Sequence, residues 1–305
     1  MSRKAPPRPS FAPRNWGGWV AASLLWLLGW LPRPVGRALV WPVGPLAHAL
    51  AGRRRQIAER NLQRCFPDWS ADQRARVTRG TFDSVARMIA EMAWCWSGPM
   101  SRIRRISSVY GLEHLRAAEA QGKGVLLVTG HFTCLEIGGR ILLDHADFGG
   151  VYRPLKSPVM EWYQTRGRLR YADFMVSKRN ARQAVKILRG GGTVWYAPDQ
   201  DFGPAQSGFA PFFGIQTASL LATQRLPAMT GCAVVPMFPR FVRGTGRYEV
   251  HVLPALENYP GEDPATDLAR INALIESWVR QCPEQYWWIH RRFKTRPPGE
   301  PGFYD

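Results

Sequence analysis

Acidic residues are scarce in this 305-residue chain. Its 23 Asp and Glu residues stand against 41 Lys and Arg, so the formal net charge is +18 and the pI is about 10.5. An acid deficit of this size favours an anionic partner, which leaves nucleic acid, an acidic membrane surface and a phosphorylated substrate open. Half of the excess lies in residues 1–60, where ten basic residues and one acid, Glu59, flank the most apolar part of the chain. That arrangement is typical of attachment to anionic headgroups.

Cysteine is also sparse, and its spacing is uninformative for metal binding. The chain has five widely separated cysteines, an odd number, and none forms a CxxC pair: Cys65, Cys95, Cys134, Cys232 and Cys282. The lack of such pairs argues against a zinc site and against a redox dithiol. A reducing, cytoplasmic setting fits this pattern best.

Long apolar runs are few, and the main one is near the N-terminus. Residues 16–32 form a run of 17 residues without a charge, which is at the short limit for spanning ~30 Å of hydrocarbon. A second uncharged stretch, 38–52, contains Pro42 and Pro45 and is better suited to an interfacial segment. We therefore expect a disordered basic N-terminus at 1–15, a retained membrane helix and anchor within 16–52, and one globular domain at 53–305. The alternative for the first run is a buried core helix.

The rest of the chain alternates between two kinds of apolar pattern. Residues 71–97 show the spacing of an amphipathic helix. Strand-like runs follow at 124–130, 150–153, 193–197, 233–238 and 248–253, separated by helix-compatible stretches at 134–146, 158–170, 180–189, 217–230 and 265–281. This alternation predicts an α/β fold with a mostly parallel central sheet flanked by helices, and with ligands at the carboxyl ends of the strands.

The sharpest local feature is a histidine and a glutamate at the end of the first strand-like run. His131 and Glu136 are five positions apart, which on one continuous helix is about 140° of rotation. They converge only if His131 lies in the loop and Glu136 in the first helical turns. A histidine oriented by a carboxylate removes the proton from an alcohol and makes it nucleophilic towards a thioester. The simpler alternative is a histidine at a helix start and a solvated glutamate.

Two further strand ends carry charged residues. Arg153 ends the run at 150–153, where a guanidinium can hold a phosphate or an oxyanion, although a surface arginine before a proline turn has the same pattern. Asp199 and Asp201 lie in a loop bounded by proline and glycine after the run at 193–197. Two carboxylates without a third acid or a histidine nearby make a weak metal site, so we expect no metal. Positioning of arginines or of the substrate is the better interpretation, with a simple Asx turn as the alternative.

The C-terminal segment 286–297 interleaves aromatic and basic residues. Proteins that bind single-stranded nucleic acid have this pattern. So do proteins that place amphipathic rings at a bilayer interface and cations on lipid phosphates.

Six motifs occur in one order between the N-terminal apolar segment and about Pro301. They are GHFTCLEIGGR at 130–140, VYRP at 151–154, GRLR at 167–170, WYAPDQDFGP at 195–204, FAPFFG at 209–214 and PEQYWWIHRRFKTRPPG at 283–299. Together they resemble the lipid A late acyltransferase family, the lauroyl and myristoyl transferases of lipopolysaccharide biosynthesis. The WIHRRFKTRP ending is more similar to the first-acting, lauroyl-type branch.

This resemblance implies an O-acyltransferase of the glycerolipid acyltransferase-like fold, with a single N-terminal membrane helix and a catalytic domain on the cytoplasmic face of the inner membrane. It implies acyl carrier protein thioesters as donors, a phosphorylated, Kdo-bearing glucosamine disaccharide lipid as acceptor, and no cofactor. The family's His-x4-acid motif falls on His131, as general base, and on Glu136, which orients it; related glycerolipid acyltransferases usually carry Asp there. The expected contacts to substrate or oxyanion are Arg153, Arg168, Asp199 and Asp201.

Two other functions remain as alternatives from the sequence. One is an acyltransferase that acts on a lysophospholipid or another glycosylated lipid, which shares the chemistry and differs in the acceptor pocket. The other is a membrane-tethered nucleic-acid binder without enzymatic activity, suggested by the pI and the C-terminal segment.

Overall fold

Four short helices form the N-terminal part of the computed structural model, which describes residues 6–305. They are α1 (Trp16–Trp30), α2 (Arg33–Val40), α3 (Val43–Leu50) and α4 (Gly52–Cys65). Residues 1–5 of the predicted disordered segment lie outside the described residues. In residues 6–15, a 3-10 turn precedes α1, and the Phe11 ring stacks on Trp19 at 4.6 Å between centroids. The predicted boundaries near residues 15 and 52 stay predictions.

The amphipathic helix predicted at 71–97 is confirmed as α5 (Ala71–Ser97). Its first turn is fixed by a capping box, in which the Ser70 hydroxyl accepts from the Gln73 backbone N–H and the Gln73 side chain accepts from the Ser70 N–H. Helix α1 packs along α5 so closely that a Cβ at Gly29 would lie 2.4 Å from the Ala93 carbonyl oxygen. A larger residue at position 29 would therefore push the two helices apart.

The N-terminal helices leave an apolar face uncovered. Of the sixteen large hydrophobic side chains that are exposed in the described part of the chain, thirteen lie between Phe11 and Leu50: Phe11, Trp16, Val20, Leu24, Trp26, Leu27, Trp30, Val35, Leu39, Trp41, Val43, Leu46 and Leu50. We call this surface the apolar face. Large apolar side chains normally pack inside an α/β domain, so this concentration of exposed ones in one segment of the chain indicates an interaction surface.

Within residues 6–305, no helix is both long enough and apolar enough to cross a membrane. The membrane-spanning helix expected in the 16–32 run is therefore not found. Helix α1 has 15 residues and ends at Trp30, after which Leu31 adopts an extended conformation ahead of Pro32. A residue before proline is driven out of the helical region, which accounts for the early end.

Strands and helices alternate after α5. The elements are α6 (Met100–Arg104), β1 (Ser107–Tyr110), α7 (Leu112–Glu119), β2 (Val125–Val128), α8 (Leu135–Leu142), β3 (Gly149–Tyr152), α9 (Pro158–Arg168), β4 (Met175–Ser177), α10 (Ala181–Arg189), β5 (Thr193–Tyr196), β6 (Ser207–Phe212), β7 (Ile215–Leu220), α11 (Ala222–Thr230), β8 (Ala233–Val242), β9 (Arg247–Val252) and α12 (Pro264–Gln281).

Seven of these strands form the central sheet, in the order β1-β9-β8-β2-β5-β3-β4. All neighbouring pairs are parallel except β8 with β9. Every side chain of β2 is buried, as expected for a central parallel strand covered on both faces. The prediction of a mostly parallel sheet flanked by helices is confirmed. The helix predicted over 217–230 is wrong in its first part, because residues 215–220 pair with β6 in a separate antiparallel hairpin.

Candidate active site

Two chemically active side chains meet at the carboxyl end of the central sheet. Strands β2 and β5 are parallel neighbours, and their register pairs Val128 with Tyr196. His131 and Asp199 each lie three residues beyond these partners, so the two loops leave the sheet side by side. Crevices outside the carboxyl ends of parallel strands are where α/β proteins bind ligands.

Asp199 holds His131 at two points. Its Oδ2 accepts the His131 backbone N–H at 2.8 Å, and its Oδ1 lies 2.5 Å from His131 Nδ1. Asp199 is 2% exposed. Burial alone would raise the pKa of its carboxyl group, but the charge of His131 and these hydrogen bonds outweigh it and lower the pKa of Asp199 to about 2. Asp199 is therefore ionised at neutral pH and fixes the Nδ1–H tautomer of His131.

The C-terminal segment clamps the loop that carries His131. The Trp287 backbone N–H donates to the His131 carbonyl at 3.0 Å, and the Thr133 N–H donates to the Gln285 carbonyl at 2.7 Å. The buried Gln285 side chain then exchanges two hydrogen bonds with the backbone of Phe241 on β8. This part of the aromatic and basic segment therefore serves to position the site.

Glu136 does not orient His131, which corrects the sequence-based interpretation of that pair. Its Oε1 accepts from the Trp96 indole N–H at 2.6 Å and from Arg168 Nε at 2.9 Å, and its Oε2 accepts from Arg168 Nη2. Helix α8 begins at Leu135, so Glu136 is in its first turn and faces the carboxyl ends of α5 and α9. Burial would raise the pKa of Glu136, but Arg168 and Trp96 lower it, so the pair stays charged.

The other predicted contacts are distributed differently. Arg153 is exposed, lines the cavity beside His131, and makes no ion pair within the described residues. Arg168, predicted to contact substrate, forms a two-pronged pair with Glu136 at the cavity wall. Asp199 was also predicted to contact substrate, but its carboxylate is buried against His131. That prediction is corrected to a role in orienting the histidine.

Asp201 binds the C-terminal segment. Its carboxylate accepts from the Thr295 backbone N–H at 2.6 Å, from the Thr295 hydroxyl at 2.8 Å and from the Gly203 N–H at 2.9 Å. Its own backbone N–H donates to His290 Nε2 at 3.1 Å. A contact between Asp201 and substrate stays a prediction.

His290 is a second histidine on the same cavity, and the sequence motifs did not single it out. Because Nε2 accepts a hydrogen bond from a backbone N–H, the ring proton must be on Nδ1 and the ring is neutral. Burial lowers the pKa of His290 to about 4, and the neighbouring His131 contributes to the lowering. Trp96, the indole partner of Glu136, was also missed, because it is 40 residues away in sequence.

These groups surround a cavity of about 1070 Å³, at the upper end of the roughly 300–1,000 Å³ that is usual for ligand pockets. Its lining combines two kinds of side chain. Polar and charged ones include His131, Glu136, Arg140, Arg153 and Arg168, and apolar ones include Leu135, Leu143, Phe148 and Trp195. Such a cavity accommodates a ligand with a charged end and a long hydrocarbon end. Among residues 6–305, no group of three or more potential ligands is placed to hold a metal ion.

The sequence is similar to known acyltransferases over nearly its whole length. The profile of the family described as bacterial lipid A biosynthesis acyltransferase matches residues 8–295. The chain is 40% identical to the lipid A biosynthesis lauroyltransferase of Escherichia coli over 293 residues, which cover 96% of each chain. It is 39% identical to the palmitoleoyltransferase of that organism, over 96% of this chain and 95% of the relative. Identity to the myristoyltransferase of that organism is 27%, over 94% and 90%.

Proposed function

The chain belongs to the bacterial lipid A biosynthesis acyltransferase family, on its lauroyl-type branch, and is an acyltransferase. From that premise we propose that it transfers a fatty acyl chain from an acyl carrier protein thioester to a hydroxyl of the Kdo-bearing lipid A precursor. The observation that carries this proposal is the His131–Asp199 pair at a cavity lined by both cationic and apolar side chains.

His131 is the general base in this proposal. Asp199 accepts a hydrogen bond from Nδ1–H of His131, so the lone pair of the ring is on Nε2. The His131 side chain is 28% exposed and lines the cavity. Nε2 removes the proton of the acceptor hydroxyl while the oxygen attacks the thioester carbonyl. The tetrahedral intermediate then collapses: the new ester C–O bond is kept, the C–S bond breaks, and the imidazolium returns the proton to the thiolate of the carrier. Asp199 stabilises the imidazolium between these two steps.

The arginines supply fixed positive charge. Arg153 lines the cavity and forms no ion pair with any of residues 6–305, which suits it to hold an acceptor phosphate or the developing oxyanion. Arg168 donates to Glu136, and Glu136 is itself held by the Trp96 indole N–H, so the guanidinium keeps one orientation at the cavity wall. In this mechanism Glu136 is a positioning residue that acts through Arg168.

The apolar face explains how a soluble thioester and a lipid acceptor meet. The thirteen exposed hydrophobic side chains between Phe11 and Leu50, together with basic residues of the same segment, suit a surface that rests in one leaflet of an anionic membrane. We place the enzyme on the cytoplasmic face of the inner membrane, where its net charge of +18 attracts an acidic carrier protein.

The reaction is tested by mass spectrometry of the lipid products. Purified protein is incubated with carrier-protein thioesters of several chain lengths and with the tetra-acylated, Kdo-bearing precursor. The expected result is a mass gain of one acyl group that appears with carrier-bound thioesters. Absence of any gain, or acylation of an added lysophospholipid in preference to the precursor, would contradict the proposed substrate.

A further inference from the structure

A second, smaller cleft of about 370 Å³ lies between the N-terminal helices and the body of the domain. It is separate from the cavity at His131. Its walls come from α2 and the turn after it, from α5, and from the end of β8: Arg37, Ala38, Val40, Trp41, Asp83, Ala86, Arg87, Phe241 and Arg243. Three of these side chains are arginines and one, Asp83, is acidic.

Two of the three arginines of the cleft lie close to one aromatic ring. The guanidinium of Arg87 lies 4.3 Å from the centre of the Phe241 ring, and that of Arg37 lies 5.0 Å from it. Arg243 is at the end of the same strand and pairs with Glu284 at 3.2 Å, with its side chain 54% exposed. Phe241 thus has two guanidinium groups within 5.0 Å of its ring centre, and an anion bound in the cleft would offset their positive charge.

Arg87 has hydrogen-bonding capacity that the protein leaves unused. It is 8% exposed and its Nε donates to Glu91 at 2.9 Å, but its buried Nη2 has no hydrogen-bond partner. An unsatisfied buried donor destabilises the folded protein, and a charged one does so more than a neutral one. A bound acceptor at the cleft would remove that cost.

The cleft opens beside the apolar face. On α2, Arg33 and Arg37 are four residues apart and lie towards the domain, whereas Val35 and Leu39, also four apart, are exposed. Trp41 lines the cleft and is 67% exposed. A ligand in this position meets cations at one end and hydrocarbon contacts at the other.

We propose that this cleft binds the headgroup phosphate of an anionic phospholipid, with Arg37, Arg87 and Arg243 around the phosphate and the acyl chains along Leu39 and Trp41. The proposal rests on the membrane contact of the apolar face described above. The bound lipid sets the depth and rotation of the N-terminal helices in the leaflet and so directs the catalytic cavity towards the membrane.

Native mass spectrometry of the full chain in neutral detergent tests the proposal without reference to catalysis. The probes are phosphatidylglycerol and phosphatidylcholine with the same acyl chains, and inorganic phosphate. The wild type is expected to retain one phosphatidylglycerol and to release phosphatidylcholine. The double variant R37Q/R243Q should hold phosphatidylglycerol about tenfold more weakly or worse. The control R116Q/R182Q removes the same charge from exposed sites on α7 and α10 and should retain the lipid.

A second variant guards against a folding defect. Ala38 is exposed on the cleft wall, so Ala38→Glu adds an acid there without removing an arginine, and should also abolish retention. Ala117→Glu on α7 is its control. Equal retention by the wild type and the cleft variants, equal retention of both phospholipids, or retention of inorganic phosphate with exclusion of lipid would overturn the proposal.

Vesicle sedimentation and acyl transfer are measured on the same preparations. Failure of the wild type to sediment with any vesicle would contradict the membrane contact, and failure to acylate the precursor would contradict the proposed reaction. In either case, the number of phospholipids retained in detergent tests the proposed lipid site in the cleft.

Discussion

Two ion pairs lie at the cavity beside His131, and they differ in the basic side chain that each carboxylate binds. Asp199 binds an imidazole, which gains and loses a proton near neutral pH, whereas Glu136 binds a guanidinium, which stays charged. The first pair lies at the ends of two adjacent strands and the second joins the ends of three helices. In the proposed mechanism the closely spaced His131 and Glu136 therefore serve two separate functions at one cavity: His131 transfers the proton, and Glu136 holds the fixed positive charge of Arg168.

The largest effect is expected for the proton-transfer pair. His131→Ala should lower the acyl-transfer rate by about 10³–10⁴-fold, because the acceptor hydroxyl loses its base while the cavity and the fixed charges remain. The rate is measured by product mass at saturating donor and acceptor. His145→Ala, at an exposed position after α8, is the matched control and should be active. A fully active His131→Ala enzyme would remove the distinction between the two pairs.

An intermediate effect is expected for the other pair. Glu136→Gln removes the charged partner of Arg168, and a charge-assisted hydrogen bond is worth about 1.5–3 kcal/mol, so activity should fall about 10–100-fold. Glu113→Gln, exposed on α7, controls for loss of one acid. If Glu136→Gln loses as much activity as His131→Ala, Glu136 takes part in proton transfer after all.

A smaller effect is expected for substitution of Arg153. Arg153→Gln should raise the KM for the phosphorylated acceptor about tenfold and change kcat less, because the contact is made in the ground state as well as in the transition state. Arg182→Gln on α10 is the control. An unchanged KM would exclude Arg153 from acceptor binding.

The smallest effect concerns the contribution of His290 to the stability of the folded protein. The pKa of His290 is lowered to about 4 from its ordinary value of 6.5, so the folded state takes up its proton less readily than the unfolded chain. Its stabilising contribution is complete above pH 6.5 and is lost as the pH falls to about 4. His290→Gln should therefore show a smaller drop in the urea unfolding midpoint between pH 7 and pH 5 than the wild type. An equal drop would place the acid sensitivity elsewhere.

Much of the fold was predictable because local signals agreed with the tertiary structure. The capping box and the apolar spacing defined α5, and the uncharged run before His131 defined the central strand. The hairpin of β6 and β7 was missed because its pairing partner, and not its own sequence pattern, decides its conformation. The expected spanning helix failed at Leu31 and Pro32, where backbone geometry outweighs hydropathy.

The sequence identified several residues of the site, but not their pairing. His131 and Asp199 were identified beyond strand ends and Glu136 at the start of a helix, whereas His290 and Trp96 were missed. Two strands, β3 and β4, separate β2 from β5 along the chain, so the adjacency of β2 and β5 in the sheet cannot be derived from chain order. That adjacency puts Asp199 beside His131. Glu136 was assigned to the nearest histidine in sequence, while its actual partner, Arg168, arrives on α9 32 residues later.

The most direct test of the central claim is a comparison of Asp199→Asn with Glu136→Gln in single-turnover acyl transfer at saturating substrates. We expect a loss of about 10³-fold or more for Asp199→Asn, because the wrong tautomer of His131 is then favoured, and a loss of about 10–100-fold for Glu136→Gln. Equal losses, or a larger loss for Glu136→Gln, would contradict the assignment of Asp199 as the residue that orients the base.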